Sequence, residues 1–284
     1  MNQKLKSLVL PKKDFTFNWH EKTYLMGILN ITPDSFSDGG EFNHLESAFC
    51  QAKYMIENGA DIIDIGGQST RPGAEQVTLE TEINRVIPII ELIRKHDSIP
   101  ISIDTTRAEV AEKAIEAGAD LINDISGGTF DPKMFTTAAK LEVPIIIMHL
   151  KGTPKTMQKL TNYQDLIGEI ISFFTTQINR AITCGITREN IIIDPGIGFA
   201  KNATQSIELL KRLSEFQSLN FPILVGTSRK SFIGQILNQK DPKERVWGTA
   251  ATCCSAIAGG ANLLRVHDVA QMSDVIRVAD ALWR

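Results

Sequence analysis

Eight short Val/Ile/Leu-rich runs, helical apolar spacing between them and a recurring glycine just ahead of the next run predict an α/β chain folded as a single-domain (β/α)8 TIM barrel. The 284 residues, 43% hydrophobic and 22% charged, supply a core large enough for one such domain. Runs this short and this apolar read as strands buried on both faces, as in a parallel sheet covered by helices.

In chain order the predicted strands are 23–30 (TYLMGILN), 61–67 (DIIDIGG), 100–105 (PISIDT), 121–126 (LINDIS), 144–150 (PIIIMHL), 191–198 (IIIDPGIG), 222–228 (PILVGTS) and 263–268 (LLRVHD). HLESAFCQAKYMIENGA after the first and RAEVAEKAIEAGAD after the third carry apolar residues at helical spacing. The stretches ENGAD, EAGAD and ITCGIT place a glycine where a left-handed residue closes a helix before the next strand. An open doubly wound sheet is the rival, but its first turn usually reads GxGxxG, and here the turn is NITPDSFSDGG. Residues 1–22, with FTFNWH, precede the first strand and are expected to form a short N-terminal lid over the far end, leaving 23–284 as the barrel.

Thirty Lys and Arg against 33 Asp and Glu give a formal charge of -3, which excludes the general basic field that holds nucleic acid and makes any anion site local. Cys50, Cys184, Cys253 and Cys254 show neither a CxxC pair nor zinc-ligand spacing, which fits a reducing cytoplasm. No run reaches signal-peptide or membrane-spanning length, so the expectation is a protein without a membrane association.

In such a barrel the strand C-termini converge on one mouth, and here they carry Asn30, Asp64, Asp104, Asn123 with Asp124, His149, Asp194, Ser228 with Lys230, and Arg265 with His267. A lone Asp at a strand end is more often a helix cap or a turn former than a catalyst. Asp104, Asn123 and Asp194, however, stand in apolar surroundings where each needs a partner. Two carboxylates and an amide suit a flat, nitrogen-rich heterocycle, because a carboxylate matches the paired donors of an amino-pyrimidinone edge. Pairing of the two Asp with Lys230 and Arg265 inside the barrel is the structural alternative. Arg265 and His267, two apart, project to one side at the last strand, the usual neighbourhood of a phosphate in this fold. Ser228 opens a turn before a helix, where free N–H groups receive an anion or simply a cap. His149 alone reads as a hydrogen-bonded core residue, and a weak Mg2+ site at Asn30, held through substrate phosphates, is permitted.

The motifs MGILNITPDSFSDGG, DIIDIGGQSTRPGA, ISIDT, LINDISGG, IIIDPGIGFAKN, LVGTSRKSFIG and LRVHDV, in order from 26 to 269, resemble the bacterial dihydropteroate synthases, a pterin-binding TIM-barrel family. The resemblance implies a homodimeric transferase of folate biosynthesis that joins (7,8-dihydropterin-6-yl)methyl diphosphate to 4-aminobenzoate, giving 7,8-dihydropteroate and diphosphate. It implies that Asp104, Asn123, Asp194, Gly226 and Lys230 hold the pterin, with Met148 and Phe199 lining its slot. Asn30, Thr70, Arg265 and His267 would meet the diphosphate, Asn30 also Mg2+, and Arg71 and Ser228 the 4-aminobenzoate. Asn30, Asp104, Arg265 and His267 would be catalytic, in an SN1-like departure of diphosphate. One departure is visible: this chain reads GGQST, with Gln68 where many members have Glu. A pterin-dependent methyltransferase barrel and an inactive pterin-binding barrel or partner subunit are the other readings; the RPG and SRK loops argue against the first, and intact Asn30, Arg71, Lys230, Arg265 and His267 against the second.

Overall fold

The structure, a computed structural model, describes residues 5–10, 13–32, 41–69 and 73–284. An antiparallel hairpin of β1 (Leu8–Val9) and β2 (Thr16–Phe17) comes first. Eight parallel strands follow: β3 (Tyr24–Asn30), β4 (Ile62–Gly66), β5 (Ile101–Asp104), β6 (Leu121–Asp124), β7 (Ile145–Met148), β8 (Ile191–Asp194), β9 (Leu224–Val225) and β10 (Leu263–Val266). Their order is β8-β7-β6-β5-β4-β3-β10-β9, and a parallel bridge between Ile193 and Ile223 joins the two ends of the row. The chain is therefore a (β/α)8 barrel.

Helices α1 (Glu41–Glu57), α2 (Leu79–His96), α3 (Ala108–Glu116), α4 (Met134–Leu141), α5 (Leu166–Thr183), α6 (Ala203–Lys211), α7 (Ser231–Leu237), α8 (Val246–Ala258) and α9 (Val269–Trp283) lie between and after the strands. The glycines read as helix terminators, Gly59, Gly118 and Gly185, all have φ near +100° (97°, 115° and 102°). At Gly118 a β-carbon would also come within 2.6 Å of Arg94 Cγ, so both the turn and the packing exclude a side chain there. Among the described residues no helix is long and apolar enough to cross a membrane.

Strand periodicity sorts the side chains. Ile63, Ile65, Ile101, Ile103, Ile145, Ile147, Ile191 and Ile193 face outward into the core shared with the helices. The alternate residues face the barrel axis in two storeys. The lower storey is apolar: Tyr24, Met26, Ile62, Leu121, Ile146, Ile192, Leu224 and Leu263 form one cluster with Leu8, Leu10, Phe17 and Trp19 of the hairpin segment. Two residues further along the same faces come Asp64, Asn123, Met148, Asp194, Gly226 and Arg265, so the same alternation that closes the base brings polar groups to the mouth.

Trp19 stacks on Phe17 (5.1 Å between ring centroids) and meets Tyr24 edge-on, and it is fully buried. Trp19→Ala is expected to destabilise the fold by about 3–5 kcal/mol in urea unfolding, as large aromatic deletions in cores do. Because the mouth lies at the other end of the strands, turnover of the folded variant should stay near that of the parent.

Candidate active site

Strand register sets the first row of the site. Asn30 pairs with Gly66, Gly66 with Asp104 and Asp104 with Asn123, so these four positions lie abreast on β3 to β6. Gly66 leaves a gap in that row: a β-carbon there would sit 3.5 Å from Asp104 Cβ and 3.6 Å from Asn30 Oδ1, so amide and carboxylate flank the same opening. On the next strands Met148 pairs with Asp194.

Arg265, on β10, reaches across β3 to this row. Its Nε donates to Asp64 Oδ2 and its Nη2 to Asp104 Oδ2, both at 2.6 Å. Asp64 also accepts from the Asn123 amide at 3.2 Å, so one buried carboxylate orients both groups. Asp104 is thus paired with a cation in the barrel, the structural alternative left open by its sequence context. Burial pushes its carboxyl up to about 7, with Arg265 opposing and Asp64 adding to the rise. Burial pulls the Arg265 guanidinium down, but Asp64 and Asp104 outweigh it and hold the group above its ordinary value.

Asp194 makes a different choice: its Oδ1 accepts the Gly196 N–H at 2.7 Å. Burial lifts it to about 6 against that hydrogen bond and the charge of Lys230. Lys230 stands at the N-cap of α7, where its side chain makes no cap, and its Nζ lies 4.0 Å from the centre of the Phe199 ring. Desolvation lowers the ammonium to about 8, offset in part by Asp194. Phe199 packs against a small apolar cluster of Ile125, Met148, Leu150, Met157 and Ala200, which gives one wall of the mouth a flat, nonpolar lining. Gly226 sits beside Arg265, where a β-carbon would be 3.8 Å from Arg265 Cβ.

At the end of β10 the Ser228 hydroxyl accepts the His267 backbone N–H at 3.1 Å and lies 3.0 Å from His267 Nδ1. The neighbouring Arg229 is taken by Asp268 through two hydrogen bonds of 3.1 and 2.5 Å, as a rim salt bridge. Thr70 and Arg71 lie outside the described residues. Asp124 is a turn former, accepting from Ser126 and Gly128 N–H groups. His149 is a core residue whose Nδ1 lies 2.9 Å from Lys201 Nζ, and burial together with that lysine pushes it down to about 2.

Of the residues expected at the site, Asn30, Asp104, Asn123, Met148, Asp194, Phe199, Gly226, Lys230, Arg265, Ser228 and His267 all stand around the strand C-termini. The arrangement can grip a planar heterocycle by its edge and an anion beside it. Asp64, present among the strand tips, was not assigned a role by its sequence context; its i, i+2 relation to Ile62 was the available signal, but its partner across the barrel was not. Among the described residues no group of three or more His, Cys, Asp or Glu is arranged to hold a metal ion.

The pterin binding enzyme family matches residues 26–267. The chain is 62% identical over 275 residues to the dihydropteroate synthase of Synechocystis sp., covering 97% of this chain and 95% of that protein. The chain belongs to the dihydropteroate synthase family. Two solved members of this transferase family superpose closely. The Clostridium difficile enzyme, crystallised in the presence of pteroic acid, has a TM-score of 0.90 at 46% identity, over 94% of this chain and 99% of that one. The Xanthomonas albilineans enzyme with 4-aminobenzoic acid has a TM-score of 0.91 at 38% identity, over 98% of both chains.

Proposed function

We propose that the chain condenses (7,8-dihydropterin-6-yl)methyl diphosphate with 4-aminobenzoate to 7,8-dihydropteroate and diphosphate, a step of folate synthesis. The observation that carries this reading is the convergence of Asp104, Asn123, Asp194 and Lys230 on one mouth beside Arg265 and His267.

Asp194 receives the amino-pyrimidinone edge of the pterin, with Asn123, Asp104, Gly226 and Lys230 completing the contacts and Met148 and Phe199 covering the ring faces. Arg265 and His267, with Asn30 and Thr70, hold the diphosphate and stabilise the charge that grows on it as it departs. Departure precedes attack, in an SN1-like sense: the electron-rich pterin carries the methylene cation, and ionised Asp104 favours it. Arg71 and Ser228 hold the 4-aminobenzoate, whose neutral amine needs no strong base. The Asn30 amide oxygen, half-buried beside Asp104, is a hard donor suited to a mostly hydrated Mg2+, which when bound would neutralise diphosphate charge.

Residues 1–22 serve as a lid on the base of the barrel formed by 23–284. A homodimer is supported by the exposed apolar side chains of Ile236, Leu237 and Trp247 on α7 and α8, and of Val278 and Leu282 on α9. Its four free cysteines suit a reducing cytoplasm.

Diphosphate release measured with and without 4-aminobenzoate tests the reaction. Release that requires the amine, with formation of dihydropteroate, is the expected result; pterin binding without release would mean an inactive barrel, and release without the amine would mean a hydrolase. The pH dependence follows from the same groups. With Asp194 ionising near 6, Asp104 near 7 and Lys230 losing its proton near 8, kcat/KM for the pterin diphosphate should rise between about pH 6 and 7 and fall above about pH 8.

A further inference from the structure

Lys201 is a buried amine that the reaction above does not use; desolvation lowers it to about 7, offset in part by Asp194. All three of its donors are taken: Nζ donates to Gly196 O at 3.0 Å and Phe199 O at 2.9 Å, and lies 2.9 Å from His149 Nδ1. Burial and the neighbouring lysine hold the imidazole neutral, so its Nδ1 can accept from a protonated Lys201.

The two carbonyls belong to the loop that joins Asp194 to α6. That loop bends sharply, with φ of +68° at Gly196, +80° at Gly198 and +51° at Ala200. Such a backbone keeps its shape only where its surroundings fix it. His149 clasps the loop from the other side, since its own N–H donates to Asp194 O at 2.9 Å and a β-carbon on Gly196 would fall 2.2 Å from His149 O. The loop carries Phe199, which meets Lys230, and the Gly196 N–H that holds Asp194. Immediately after Lys201, a reciprocal cap between Asn202 and Gln205 starts α6, so the lysine stands where the loop is anchored to a helix.

We propose that Lys201 is a positioning residue for the pterin slot, whose Nζ pins the Gly196 and Phe199 carbonyls and so holds the Phe199 ring and the Asp194 carboxylate in place to receive the heterocycle. Lys201 does not touch the substrate; it acts through the loop. This inference rests on the pterin reading of the site and deepens it.

Lys201→Met keeps an unbranched stem of nearly the same length and removes the amine with its donors. Binding of the pterin diphosphate by calorimetry and steady-state kinetics should then show Kd and KM for the pterin raised about tenfold or more, with kcat at saturation and KM for 4-aminobenzoate within about threefold of wild type. Lys201→Gln, which keeps an N–H donor, should fall between the two and serves as the second variant where Met fails to fold. A merely structural role would lower the melting temperature while leaving the pterin Kd of the folded fraction unchanged, and that result in either variant overturns the proposal. Failure of the wild-type chain to bind the pterin diphosphate would instead overturn the underlying reading of the site.

Discussion

Arg265→Ala is expected to reduce kcat by about 10³-fold, the size found when a donor aimed at developing charge is removed. The guanidinium bridges Asp64 and Asp104 and is the strongest cation of the pocket, so its loss removes the charge that meets the departing diphosphate. The same deletion strands two buried carboxylates. Asp104, which already titrates near 7, can take up a proton, so the variant should fold but melt at a lower temperature above neutral pH than below it. Arg265→Lys keeps the charge but not the fork that spans two acids, and should recover only part of the rate. Rates and melting curves measured on the same preparations separate the two effects. Near-normal turnover in a folded Arg265→Ala protein would remove the arginine from the chemistry.

The second large effect is expected at Asp194. Asp194→Asn keeps an oxygen for the Gly196 N–H but turns an amide N–H toward the pterin edge, so donor faces donor where two hydrogen bonds to a carboxylate stood. Two charge-assisted bonds lost in a closed pocket correspond to a fall of about 10²–10³ in kcat/KM for the pterin diphosphate. Stability should move the other way. Burial raises the Asp194 pKa from its unfolded value to about 6, so the folded state holds that proton more tightly, and stability present at low pH is lost as pH rises through 6. The amide has no such dependence. Above pH 6 Asp194→Asn is therefore expected to melt no lower than the parent, with thermal melts at pH 5 and 8 showing a smaller difference between the two pH values than in wild type.

The barrel was legible because its signal is local and repeated: each strand writes its own apolar run, and several helices close on a glycine, as at Gly59, Gly118 and Gly185. Strand limits were less so. The run 222–228 forms only the short β9, because Gly226 and the turn from Thr227 to Lys230 leave the ladder early. The site was legible to the extent that polar residues at strand tips must converge. What one chain of letters does not carry is which acid an arginine reaches across a closed barrel, and Arg265 passes over β3 to find Asp64 and Asp104. Lys201 was hidden for a related reason. Its acceptors are two carbonyls and a distant imidazole, and a backbone oxygen leaves no mark on composition.

The guanidinium at the tenth strand has claimed both acids on its side of the cavity, whereas among the described residues the Asp194 carboxylate across the opening holds a backbone amide alone. The two sides therefore offer newcomers unequal terms: one acid is open to engagement at once, the other only by exchange with an internal cation. Compounds that direct an amidine-like edge at the first and leave the second undisturbed would avoid that exchange, and they would distinguish recognition of the ring from the events that release its leaving group.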